Sequence, residues 1–329
     1  MKILVTGGGG FLGSAICRRL IHRGDEVVAF QRSVAEQLRI AGVHIHRGDI
    51  TDANALEEAA HGCTAIIHTA GKAGIWGDAA DYHRCNVTGT QNVLAVCRRL
   101  AIPYLVHTSS PSIVHGDSDI EGGDESLPIS SHFLSHYPAS KAEAERLVLA
   151  ANDLTLKTTA LRPHLIWGPG DPHILPRLAA KVRKGILALP GVDKRIDTVY
   201  VENAALAHVL ALGELQGQAR CAGKAYFISN DEPLPQGEII QRLLAAIGVN
   251  VTIRPVPARL ARAAGALCET GWRLLSLKSE PPVTRFTANQ LTTAHWYDIS
   301  AAKRDLAYQP EYTIAEGLDA LRRSSSNHV

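Results

Sequence analysis

The sequence has no C-x-x-C spacing, no long apolar run and no excess of charge of one sign, and each absence removes a class of protein. Six cysteines, Cys17, Cys63, Cys85, Cys97, Cys221 and Cys268, are scattered along the chain. Most sit in apolar helical or strand-like runs, which reads as reduced, buried thiols of a cytoplasmic protein. No stretch approaches the ~18 apolar residues that cross a bilayer, and Met1 leads straight into a strand, so neither a membrane span nor a signal peptide is expected. A formal net charge of +2 over 329 residues offers no basic arm on which nucleic acid would sit. Repeats and low-complexity tracts are missing as well. His44 and His46 would share a strand face without a third ligand at suitable spacing, so no metal site is expected.

What is present is alternation. Short β-branched runs ("KILVTG", "EVVAFQ", "VHIHRGD", "TAIIHTA", "PYLVHTSS", "TLKTTALRP") are separated by helical patterns, including a long helix from about Asp81 to Leu100. Apolar strands alternating with helices imply a parallel sheet buried on both faces, that is, a doubly wound α/β (Rossmann) domain. After Pro163 the alternation weakens. The expected division is a dinucleotide-binding domain over 1–166, rejoined by 195–230, and a smaller C-terminal substrate-binding lobe over 167–194 and 231–325. The polar tail "SSSNHV" is expected to fray.

"VTGGGGFLG" places Gly7, Gly10 and Gly13 in the pattern G-x-x-G-x-x-G between the first strand and the first helix. Such a loop lets backbone N–H groups, with Phe11 and Leu12 among them, approach a pyrophosphate at a helix N-terminus. The second strand ends "VVAFQRS", with Gln31 and Arg32 in place of the carboxylate that would hold the ribose of NAD. The Arg32 guanidinium suits a 2′-phosphate, so NADP(H) is the expected cofactor, with a solvated surface arginine as the alternative. Asp49 and Ile50 end the third strand, where the adenine would lie. Thr69 and Ala70 end the fourth, where cofactor should pass.

In "HYPASKAEAE", Tyr137 and Lys141 fall one helical turn apart on the same face. Beside a nicotinamide, a phenol and an ammonium so placed make an acid–base pair. Ser109, Ser110 and Ser112 in "LVHTSSPSIVHG" end the fifth strand, and strand carboxyl ends are where a doubly wound sheet binds ligands.

Glycine loop, strand-end serine and Y-x-x-x-K in this order resemble the extended short-chain dehydrogenase/reductase superfamily over nearly the whole chain. The resemblance implies that Tyr137 exchanges a proton with the substrate oxygen. It also implies that Lys141 lowers the tyrosine pKa and holds the nicotinamide ribose, and that Ser110 hydrogen-bonds the same oxygen, with Ser109 or Ser112 able to replace it. "ALRPHLIWGPGD" looks like the stretch lying along the nicotinamide carboxamide, which carries Pro163 and Ile166 over as cofactor contacts. Asn86 matches a helix asparagine of structural role. Glu202 stands where relatives more often have aspartate.

"KAGIWG", "AGKAYFISNDEPLP" and "EPPVTRFTANQLTTAHWYD" resemble the branch of 3β-hydroxysteroid and sterol dehydrogenases, and within it the bacterial 2-alkyl-3-oxoalkanoate reductases of long-chain olefin biosynthesis. That resemblance implies NADPH-dependent reduction of the 3-ketone of a long-chain 2-alkyl-3-oxo acid. It also implies a homodimer working in assembly with condensing and β-lactone-forming enzymes. A steroid dehydrogenase is the alternative. A nucleotide-sugar epimerase, with Arg177, Arg183 and Arg195 as phosphate clamps, and a non-catalytic NADP sensor are weaker ones. Lys72 is a candidate partner for the substrate carboxylate, with a solvated lysine as the alternative, and Trp76 is a candidate cleft wall, with core packing as the alternative. Residues 260–278, apolar with interspersed Arg262, Arg273 and Lys278, read either as a core-covering amphipathic helix or as one that touches a membrane surface.

Overall fold

The apolar runs of the first half become a seven-stranded, wholly parallel sheet. Its strands are β1 (Lys2–Thr6), β2 (Glu26–Gln31), β3 (His44–Arg47), β4 (Ala65–His68), β5 (Tyr104–Thr108), and two later ones, Lys157–Pro163 and Ala225–Ile228. They lie in the order Ala225–Ile228, Lys157–Pro163, β5, β4, β1, β2, β3. The structure, a computed structural model, describes residues 1–33, 35–277 and 279–326. The end of the polar tail and Lys278 lie outside the described residues.

Alternation along β1 sends Ile3 and Val5 into one core and Leu4 into the other, as the period of two in a strand requires. The first core is covered by the helices Phe11–His22 and Val201–Gln216, the second by Ala53–Ala60 and Gly89–Arg99. Glu202 accepts from Arg18 and Arg19 at 3.0 and 3.3 Å, joining the two helices of the first layer. Strand order reverses between β1 and β4. The connections leaving their carboxyl ends therefore run to opposite faces of the sheet and leave a crevice, the place where such sheets bind ligands.

The long helix expected from Asp81 runs from Ala79 to Arg99 and widens into π-helical turns over His83–Thr88. Asn86 lies in that widened stretch. It accepts from the Lys72 amide at 2.6 Å and donates to Ser140 at 2.9 Å, tying the loop after β4 to the helix His136–Ala150.

The smaller lobe holds a four-stranded sheet in the order Leu234–Pro235, Arg195–Ile196, His295–Tyr297, Ile120–Gly123. A pair formed by Ile186–Pro190 and Thr252–Val256 covers a third core around Leu187, Leu189 and Leu244. Two strands of the four-stranded sheet, Ile120–Gly123 and Arg195–Ile196, come from spans expected in the dinucleotide domain. The lobes thus interleave more finely than the expected boundaries, because short strands pair wherever the crossing chain supplies an edge.

Candidate active site

At the mouth of the crevice the glycine loop takes a conformation that side chains would block. Gly7 has φ of 70°, and a Cβ there would stand 2.9 Å from the Ala70 nitrogen; one on Gly13 would stand 2.1 Å from the Gly7 carbonyl. The helix Phe11–His22 begins at Gly10 with no side-chain cap. Its first N–H groups are thus left for an anion, where the helix dipole also favours negative charge.

This loop opens on a cavity of about 1040 Å³. Gly7, Gly10, Phe11, Leu12, Gly13, Arg32, Asp49, Ile50, Thr69, Ala70, Ser110, Tyr137, Pro163 and Ile166 all line it, so the residues singled out from the sequence converge on one space. Lys141 does not line it and lies behind the wall.

At the end of β2, Gln31 is buried and donates to the Ser33 carbonyl at 2.8 Å. Its Oε1 has no partner among the described residues. Arg32 is exposed, and its guanidinium makes no ion pair among the described residues. Asp49 accepts from the Thr51 amide and hydroxyl at 2.9 and 2.7 Å, and these bonds hold its carboxyl below the usual range.

The helix carrying Tyr137 and Lys141 starts at Ser135, whose hydroxyl accepts from the Tyr137 amide at 3.3 Å. Burial pushes the Tyr137 phenol upward, and the nearby Ser110 hydroxyl eases it part of the way back. Ser110 in turn shares a 2.8 Å hydrogen bond with Ser112. The Lys141 ammonium donates to the Thr108 carbonyl at 2.5 Å. Desolvation pushes it down to about 8, with Glu145 working in the opposite direction. In this structure the ammonium is engaged by a backbone carbonyl, and burial is the largest influence on the Tyr137 phenol. Tyr137 is a protonated acid across the neutral range.

Other expectations change more. Lys72 pairs with Asp81 at 2.9 Å and sits over the Tyr82 ring, outside the cavity, so it is no carboxylate partner. Trp76 lies under Arg273 while its neighbour Ile75 lines the cavity. Of the three arginines of the epimerase reading, only Arg177 reaches the cavity, where it pairs with Glu280 at 3.0 Å. Arg183 and Arg195 bond backbone carbonyls elsewhere, so no clamp forms. The helix expected at 260–278 runs Ala258–Leu274. It turns Ala261 and Ala264 to the cavity, but Leu260, Leu267 and Leu274 are 63, 75 and 80% exposed, which a core-covering helix would not show.

Sequence reading missed the far end of the cavity. Leu187, Leu189, Val256, Val283 and Phe286 form its apolar arm; pairing of Ile186–Pro190 with Thr252–Val256 aligns the first three and the segment at the helix Arg285–Gln290 adds the others, which no local period reveals. His115 and His164 also line it, and next to His164 stands Leu165 at φ of 44°, a strained position for a branched side chain.

Residues 4–256 match the 3-beta hydroxysteroid dehydrogenase/isomerase family. The chain is 50% identical over 329 residues to the 2-alkyl-3-oxoalkanoate reductase of Stenotrophomonas maltophilia, covering 99% of this chain and 100% of that one. It is 47% identical to the 2-alkyl-3-oxoalkanoate reductase of Shewanella oneidensis, over 97% of this chain and 85% of the relative. Among solved structures, the UDP-glucuronic acid 4-epimerase of Bacillus cereus superposes with a TM-score of 0.77 over the whole of both chains at 23% identity, a likeness of fold.

Proposed function

The chain belongs to the 3-beta hydroxysteroid dehydrogenase/isomerase family, and from that premise we propose that it is the NADPH-dependent reductase of a long-chain 2-alkyl-3-oxoalkanoate. It is an oxidoreductase, and the product would be the 2-alkyl-3-hydroxyalkanoate. The observation that carries this reading is the Tyr137 phenol beside Ser110 in a cavity whose far arm is apolar. A proton donor at one end and room for alkyl chains at the other fit a ketone set within a lipid.

A nicotinamide dinucleotide fits the glycine cradle, the uncapped helix end and the crevice at the carboxyl ends of β1 and β4. When bound, NADPH supplies the hydride that reaches C3. The N–H groups after Gly10, with Phe11, Leu12 and Gly13, would hold its pyrophosphate. Arg32 would hold the 2′-phosphate, and Asp49 and Ile50 would flank the adenine. Thr69, Ala70, Pro163 and Ile166 would line the path to the nicotinamide. Tyr137 gives its proton to the C3 oxygen, and Ser110 donates a hydrogen bond to the same atom, stabilising negative charge as it develops. Lys141 anchors the helix that carries Tyr137 and keeps a positive charge near the reacting centre.

The exposed leucines of Ala258–Leu274, flanked by exposed Arg259 and Arg262, fit peripheral contact with an anionic membrane from a cytoplasmic protein. No described helix is long and apolar enough to cross a membrane. A homodimer and association with condensing and β-lactone-forming enzymes fit a substrate too apolar to release into water. The family match supports a 3β-hydroxysteroid dehydrogenase as second reading.

Purified protein given NADPH and a 2-alkyl-3-oxo fatty acid should yield the 3-hydroxy acid by mass spectrometry. Tyr137→Phe should bind NADPH yet yield none. Conversion of a 3-oxosteroid alone would transfer the reading to the second alternative.

A further inference from the structure

Three histidines far apart in sequence meet where the lobes join. His115 follows the serine loop, His164 follows the strand Lys157–Pro163, and His295 opens a strand of the smaller lobe. One nitrogen of each lies within 4.8 Å of the others. Ring centres are 4.9 Å apart for His164 and His295, 5.2 Å for His115 and His295, and 6.1 Å for His115 and His164.

Hydrogen bonds fix which nitrogens carry protons. His164 Nδ1 lies 2.5 Å from Asp197 Oδ1, and the other oxygen of that carboxylate accepts from the Tyr297 amide at 2.9 Å. A carboxylate only accepts, so Nδ1 carries a proton and Nε2 is the nitrogen left without a partner. His295 Nε2 donates to the Gln290 carbonyl at 2.9 Å, which leaves the lone pair on Nδ1. His164 Nε2 and His295 Nδ1 are both buried and have no hydrogen-bond partner among the described residues. Burial pushes His295 down to about 3 and His115 well below its ordinary value. Uncompensated buried acceptors are costly and uncommon, and each calls for a reason.

We propose that His115, His164 and His295 form a binding site for a divalent transition ion of the zinc class. Three imidazoles on one tetrahedral ion, with bonds of about 2 Å, bring their ring centres roughly 5 Å apart. Ligand nitrogens in that geometry lie roughly 3.3 Å apart, so the rings draw inward on binding. His115, which shares one nitrogen with Tyr297 and the other with the Gln290 amide, gives up one of those partners. The outer layer is already built, because Asp197 and the Gln290 carbonyl orient two rings through their far nitrogens, as partners of metal-bound histidines do. His115 and His164 also line the cavity, so the fourth position faces it. Such an ion would pin the smaller lobe's sheet to the strand ends bearing Ser110 and Pro163. This inference does not depend on the identity of the substrate.

Metal-free protein would be titrated with Co²⁺ and then with Zn²⁺. One equivalent of Co²⁺ should give the intense visible bands of tetrahedral cobalt, Zn²⁺ should displace it, and the thermal midpoint should rise at saturating Zn²⁺. X-ray absorption of the zinc-loaded wild type should show three imidazole nitrogens. His164→Gln and His295→Phe should each lose the cobalt bands. Absence of tetrahedral bands at millimolar Co²⁺, or bands unchanged in both variants, would overturn the site. Should a variant not fold, the wild-type absorption data decide: fewer than two imidazole ligands also overturns it.

Discussion

Lys141 reaches from its helix to the end of β5 and donates to the Thr108 carbonyl, two residues before Ser110. One contact thus fixes the helix that carries the acid to the strand that carries the serine. It also buries an ammonium.

The Lys141 ammonium, pushed down to about 8, is charged below that pH and neutral above it. Tyr137 is displaced upward and stays protonated throughout the same range. For ketone reduction, kcat/KM, which reports the free enzyme, should therefore fall as pH rises through about 8. A profile flat to pH 10 would show that the charge on Lys141 is not required.

Arg32 should decide between the two dinucleotides. Arg32→Ala removes a charge-assisted pairing with the 2′-phosphate, of order 1.5–3 kcal/mol. The KM for NADPH should rise by roughly 10- to 100-fold while that for NADH barely moves. Equal effects on both cofactors would assign Arg32 to the protein surface.

Glu145 and Arg162 form a buried pair through two contacts, of 2.9 and 2.6 Å, and Arg162 lies over the Phe227 ring. Glu145→Ala strands a cation in the core and should lower unfolding free energy by about 3–5 kcal/mol, read by urea denaturation. A loss below ~1 kcal/mol would mean that water or another group compensates.

The outer face of Ala258–Leu274 should drive sedimentation with vesicles rich in anionic lipid. Leu260, Leu267 and Leu274 replaced together by Ser should abolish it without changing turnover of a short-chain soluble ketone. Wild-type protein that stays in the supernatant would remove the membrane from the picture.

Much of this was written locally. The glycine loop, the Tyr137–Lys141 spacing and the apolar strands each rest on residues a few positions apart, and a helical or strand period exposes them directly. The fate of Lys72 depends on Asp81, which the start of the helix at Ala79 swings into range. The Ala258–Leu274 helix is apolar on two faces, and only its packing shows that the alanines meet the cavity while the leucines meet solvent. His115, His164 and His295 share no period or motif; the junction of two sheets assembles them.

The most direct measurement compares kcat/KM for a 2-alkyl-3-oxo fatty acid and a 3-oxosteroid, each with NADPH and with NADH, by loss of reduced-nicotinamide absorbance. Preference for the oxo acid with NADPH, abolished in Tyr137→Phe, is the expected result. Turnover of the steroid alone, or oxo-acid turnover that survives in Tyr137→Phe, would contradict the proposed function.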